Sequence, residues 1–92
     1  MKKLTVFYLK NCPYCRKAMT AVKELYSENP AFEKVDMNWI EETADPETAD
    51  KYDYYRVPSI FCADSKLYEC DPAHGYAEIK QEFERALKFA LE

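Results

Sequence analysis

Residues 3–9, KLTVFYL, open the chain with a nearly unbroken run of β-branched, aromatic and aliphatic side chains. Such a run suits a strand buried on both faces, as in the interior of a parallel sheet. Beyond it, Asn11 supplies a helix N-cap type, and Pro13 falls where a first-turn proline is favoured. Ala18, Val22 and Leu25, with Met19 and Tyr26 beside them, then recur at helical spacing and predict a helix from about Pro13 to Ser27. The stretch SENPAF ends it, with Pro30 as punctuation. In FEKVDMNWI, Val35, Met37 and Trp39 alternate with Asp36 and Asn38, the period of a half-buried strand.

The following EETADPETADKYDYYR reads as a loop and then a short helix starting near Asp45–Pro46, a cap residue followed by proline. SIFCA (59–63) and KLYEC (66–70) are strand-like and close enough to form a hairpin. A two-residue turn at Asp64–Ser65 would set Cys62 opposite Leu67 and Cys70 opposite Ser59, with the two cysteines on opposite faces of the sheet. Asp71–Pro72 then precedes a terminal helix with Tyr76, Ile79, Phe83, Leu87 and Ala90 along one face.

The order is β-α-β-α-β-β-α. Its first crossover implies parallel pairing and its hairpin implies an antiparallel pair. An α/β fold results, with a four-stranded mixed sheet and helices on both faces. Without repeats or linkers, residues 1–92 are expected to form a single domain.

Composition narrows the function classes. The net charge of −4 scatters 13 Lys and Arg among 17 acids, so no basic stripe suits a nucleic acid. No apolar run is long enough to span a membrane. MKKLTVFYLKNC begins like a leader, but its apolar run is short, is broken by Lys10 and lacks a small-residue cleavage site. A first strand and a cytoplasmic location are therefore expected. In a reducing compartment the four cysteines would be mostly free, which makes a CxxC metal-binding or catalytic rather than structural.

That CxxC is Cys12-Pro13-Tyr14-Cys15, at the junction of the first strand and first helix. Open α/β sheets carry their sites at this carboxyl edge. For disulfide exchange, Cys12 would sit at a helix N-terminus, where unpaired N–H groups and the macrodipole favour a thiolate. Lys10, Arg16 and Lys17 are near enough in sequence to add to that field. Cys15, three residues on, lies on the same side of the first turn, within reach of a disulfide. For zinc, four ligands are needed, and the chain offers one histidine, His74, with Cys62 and Cys70 eight residues apart. Such a site would need ligands from three separate elements.

CPYC in this position resembles the active site of the glutaredoxins, within the thioredoxin-fold superfamily. VPSIF at 57–61 resembles the superfamily's second hallmark, a cis-proline opening the third strand and facing the cysteines. The likeness covers the chain in element order and length. It implies a dithiol disulfide oxidoreductase in which Cys12 is the nucleophile, Cys15 the resolving cysteine and Pro58 the cis-proline. Val57 would offer its backbone to an extended substrate, a small-scale strand addition. Lys10, Pro13, Tyr14 and Asp71 complete the substrate-binding set that the resemblance implies. It further implies no tightly bound cofactor, glutathione or a reductase as electron source, a disulfide-containing protein or small molecule as substrate, and a monomer without nucleic-acid or membrane partners.

Two positions depart from the glutaredoxin pattern. Lys10 stands two residues before the first cysteine rather than three, and Glu69–Cys70 occupies the place of a Gly-Gly pair. A different class of function stays open: the same fold holding a metal or iron–sulfur cluster through Cys12. Among the remaining residues, Cys62 and Cys70 read as inert buried thiols, although Cys70 at a strand end could serve the site as an extra thiol. Tyr52 to Tyr55 (YDYY) fit either helix-end packing or an aromatic wall beside the cysteines. His74 has no sequence-evident partner.

Overall fold

The computed structural model describes residues 1–92. Its sheet comprises β1 (Leu4–Tyr8), β2 (Met37–Glu41), β3 (Ser59–Cys62) and β4 (Ser65–Glu69), and its helices are α1 (Pro13–Glu28), α2 (Pro46–Ala49) and α3 (Tyr76–Leu91). Strand order is β2-β1-β3-β4, with β1 parallel to β2 and the β1–β3 and β3–β4 pairs antiparallel. This is the four-stranded mixed sheet that the element order predicts, in the thioredoxin fold that the resemblance implies.

The two faces of the sheet are covered unequally. Leu4, Val6, Ile60 and Tyr68 join Val22, Leu25, Ile79, Phe83 and Leu87 in one buried cluster under α1 and α3. Those helices are also tied at the surface, where Lys80 Nζ lies 3.3 Å from Glu24 and 2.7 Å from Glu28. On the opposite face, Phe7 and Phe61 are covered by Tyr52 and Tyr54, with Phe7 stacked on Tyr54 at 4.8 Å and Tyr52 edge-on to Phe61 at 4.9 Å. Tyr54 also donates to Glu42 Oε1 at 2.8 Å. Tyr52 and Tyr54 are therefore packing residues.

The local expectations are corrected in part. Asn11 is not the N-cap of α1: it takes φ 63°, the left-handed conformation that asparagine tolerates, and Cys12, extended at φ −87°, ψ 122°, is the cap. By contrast, α1 does end within SENPAF, at Glu28, and Pro30 opens a separate 3₁₀ turn, Pro30–Lys34, with Asn29 Oδ1 accepting from the Ala31 N–H. Asp71–Pro72 precedes α3, as expected, with a turn between them. Asp71 Oδ1 accepts from Ala73 N–H within a turn, and the helix begins after Gly75, whose N–H donates to Glu78 Oε1 at 2.7 Å. By contrast, Asp45–Pro46 does open α2, with Asp45 accepting from Thr48 N–H.

The hairpin differs most. Its turn is Ala63–Asp64 rather than Asp64–Ser65, because Cys62 pairs with Ser65, and Ala63 takes φ 52°. Ile60 pairs with Tyr68 but Phe61 pairs with Lys66, so Leu67 is an extra residue on β4. One extra residue inverts the alternation of side chains beyond it. Cys62 and Cys70 consequently pack against the same cluster rather than on opposite faces. They stand at opposite ends of the hairpin, about 13 Å apart along the strand for four residues at roughly 3.3 Å each.

Candidate active site: a thiol pair facing a cis-proline loop

β1 delivers the chain to the carboxyl edge of the sheet, and the left-handed Asn11 turns it into α1. Pro13 occupies the first helical position, where its missing N–H is no loss. This geometry places Cys12 at the mouth of the helix, partly exposed, and Cys15 one turn inside it at 1% exposure. Both are free thiols. Burial pushes the Cys15 thiol up to about 12, and the neighbouring Cys12 adds to the effect. Cys15 is thus held as a thiol while Cys12 faces solvent.

Two carboxylates fix the backbone around this pair, and neither is evident from sequence. Glu41, the last residue of β2, accepts from the N–H groups of Lys10, Thr43 and Ala44 and from the Thr43 hydroxyl. These donors, the Thr43 hydroxyl foremost, hold its carboxyl down to about 2. Glu69, the last residue of β4, accepts through Oε2 from the N–H groups of both Tyr55 and Arg56 at 2.8 Å. Its Oε1 lies 2.7 Å from Lys66 Nζ. Glu69 therefore clamps the segment that leads into Val57–Pro58, and Ser59 Oγ braces the same bend by donating to the Arg56 carbonyl. The Val57–Pro58 peptide is cis, and Pro58 is buried.

The backbone of Val57 has no backbone hydrogen-bond partner, whereas the next carbonyl, that of Pro58, accepts from Cys70 N–H at 3.0 Å. A cleft of about 250 Å³ runs between the two segments, lined by Tyr14, Tyr55, Arg56, Val57, Cys70 and Pro72. Tyr55 is 90% exposed at its rim, so this third tyrosine of YDYY does border the site. Tyr14 closes the other side by donating its hydroxyl to the Pro72 carbonyl at 2.8 Å, with Lys17 Nζ 5.5 Å from its ring centroid.

Of the sequence-predicted residues, Tyr14 and Val57 thus share one cleft, and the buried Pro58 comes directly after. Asp71 lines an adjoining hollow with Tyr55, Arg56, Glu69 and Cys70. Lys10 lies elsewhere, with Asn11, Cys15 and Arg16 around a separate hollow behind the pair, and contributes its backbone N–H to Glu41. Arg16 turns back to the Asn11 carbonyl, 3.5 Å away. Pro13 is exposed beside Cys12.

Sequence reasoning missed the partner of His74. Its Nδ1 sits 2.8 Å from the Tyr68 hydroxyl and accepts from Asp71 N–H at 3.3 Å, which makes Tyr68 the donor. Tyr68 and His74 also stack, with ring centroids 5.7 Å apart. For metal chemistry, no group of three or more His, Cys, Asp or Glu is arranged to hold an ion.

The chain belongs to the thioredoxin domain family, whose family model matches residues 2–68 and so takes in both the CPYC segment and the cis-proline strand. Among solved structures, thioredoxin 1 from the thermophilic eubacterium Thermosipho africanus TCF52B superposes with a TM-score of 0.59 at 14% identity, covering 98% of this chain and 99% of that one. The structure of a malarial protein superposes with a TM-score of 0.59, also at 14% identity, over 89% of this chain and 92% of its own. At that identity these likenesses speak for the fold. Comparison with curated proteins finds no match. No helix is long and apolar enough to cross a membrane.

Proposed function

We propose that this protein is a thiol–disulfide oxidoreductase of glutaredoxin-like type. The observation that carries the reading is the asymmetry of the pair: Cys12 faces solvent at the start of α1, and Cys15 is enclosed one turn later. An exposed thiol can be approached by a substrate disulfide, and an enclosed one can be approached only by its neighbour.

In the proposed cycle Cys12, as thiolate, attacks one sulfur of a disulfide in a protein or small molecule. The substrate's other sulfur leaves with the bonding pair and takes up a proton, so a mixed disulfide remains on Cys12. Cys15 then attacks Cys12 Sγ, which frees the second substrate thiol and closes Cys12–Cys15. An external thiol reductant, glutathione or a dithiol reductase, returns the pair to the reduced state. The unpaired backbone of Val57 suits an extended peptide lying across the cleft, and Tyr14 and Tyr55 supply apolar contact on either side. Action in the cytoplasm as a monomer completes the reading.

A turnover assay tests it, with a model disulfide supplied either with glutathione and its reductase or with thioredoxin reductase. Turnover in either arm, abolished by Cys12→Ser, is the expected result and identifies the electron source. Silence in both arms rejects the proposal.

A further inference from the structure

The proposed cycle assigns two thiols, yet three meet at the carboxyl edge of the sheet. Cys70 comes directly after β4, and its N–H donates to the Pro58 carbonyl, which fixes it beside the loop that faces the CPYC turn. It lines the same cleft as Tyr14 and Val57. Its burial, 3% exposed, resembles the 1% of Cys15, the environment of a thiol that reacts with a neighbour rather than with solvent. Burial raises its pKa, the charge on Cys12 adds to that rise, and Cys70 in turn bears on Cys15. Cys70 therefore stands at the same edge of the sheet as the CPYC turn, and Cys62 stands at the far end of the hairpin.

Resting on the reading above, we propose that Cys70 is a second resolving thiol, competing with Cys15 for the mixed disulfide on Cys12. In this step the Cys70 sulfur attacks Cys12 Sγ. The Cys12–substrate S–S bond breaks, and its electron pair leaves with the substrate sulfur, which is protonated and departs as a thiol. A Cys12–Cys70 disulfide remains, to be reduced by an external thiol in two exchanges. The Cys70 thiol donates to the Asp71 carbonyl at 3.6 Å, and the proton it gives up leaves to solvent through the cleft that Cys70 lines. The departure from Gly-Gly at 69–70 thereby acquires a purpose.

The test uses the full chain with Cys15→Ser, reduced and then treated with limiting glutathione disulfide, acid-quenched, alkylated and mapped by mass spectrometry. The expected product is a Cys12–Cys70 disulfide with no glutathione retained, while Cys15→Ser/Cys70→Ser keeps glutathione on Cys12. A stable glutathione adduct on Cys12 with Cys70 free to alkylation overturns this inference and leaves the proposed function standing. An unmodified Cys12 overturns both. Cys15→Ala replaces the serine variant if a hydroxyl at that buried position prevents folding, and the same products decide the outcome.

Discussion

The two ends of the β3–β4 hairpin carry similar parts in different surroundings. Each has a cysteine, Cys70 at one end and Cys62 at the other, and each of the two sheet edges carries a residue with left-handed backbone, Asn11 after β1 and Ala63 after β3. At the Cys70 end, Glu41 and Glu69 hold the backbone of both flanking loops, and a cleft opens between them. At the Cys62 end there is a two-residue turn exposed to solvent. Residue type alone therefore assigns no role here. A cysteine becomes a candidate for chemistry where fixed backbone and other thiols surround it, and a left-handed residue serves the site only where the chain must enter a helix.

The contrast breaks most sharply at the thiols themselves. Cys12→Ser should abolish disulfide reduction, whereas Cys62→Ser should leave the turnover rate within about twofold, since surroundings without a partner thiol offer no exchange. Steady-state rates for the two variants against wild type check this. A large loss with Cys62→Ser would mean that the two ends are not functionally distinct.

Next in size is the Glu69 clamp. Glu69→Ala passes the Tyr55 and Arg56 N–H groups, both at exposed positions, from a charged acceptor to water and should cost about 0.5–1.5 kcal/mol in urea denaturation. It should also raise KM for a peptide disulfide more than it lowers kcat, because the loop that presents Val57 loses its anchor. Glu69→Gln, which keeps an acceptor oxygen, should recover most of the KM.

A pH titration separates the two ends at Glu41. Its carboxyl titrates near 2 when folded against an ordinary 4.5, so the unfolded chain binds the proton first as pH falls. Its contribution is fully present above about 4.5 and is lost as pH drops toward 2. The amides of Lys10, Thr43 and Ala44 should therefore lose protection, relative to their intrinsic exchange rates at each pH, as pH falls across that window, while the amides around Ala63 keep a constant protection.

The smallest effect is expected at the turn. Ala63 at φ 52° holds a conformation that costs a residue with a Cβ roughly 1 kcal/mol and a glycine almost nothing. Ala63→Gly should raise stability by about that amount in thermal denaturation, with turnover unchanged.

Much of this arrangement is legible in the sequence, for reasons that differ by element. The 3.6-residue repeats of α1 and α3 and the apolar run of β1 are local patterns, and they place the CPYC turn at the carboxyl edge of the sheet. Pro13 also identifies Cys12 as the helix cap, since a proline at the first helical position puts the cap directly before it. Asn11 obscures that signal because asparagine serves equally as a cap and as a left-handed residue. The Asp-Pro dipeptides are identical at 45–46 and 71–72, and the residues after each one decide between helix and turn. Thr48 continues the first into a helix, whereas the second is a turn closed by Ala73, and the helix waits for the Gly75–Glu78 bond.

Other features have no local pattern to read. The bulge at Leu67 breaks the alternation on which a register argument depends, so simple alternation sets Cys62 and Cys70 on the wrong relative faces. Glu41 and Glu69 pass for solvated acids because their partners are backbone N–H groups, which carry no sequence signal. His74 finds its partner in Tyr68 only because the turn after β4 folds back over the strand.

The central claim is that Cys12 and Cys15 form a reversible dithiol couple. Its most direct test equilibrates the wild-type protein across a series of glutathione redox buffers, quenches with acid, alkylates and locates the modified cysteines. Cys12 and Cys15 are expected to lose alkylation together as the principal two-electron transition, with any remainder of oxidised Cys12 paired to Cys70, and to regain it on return to reducing buffer. Free Cys12 and Cys15 thiols across the whole series would contradict it.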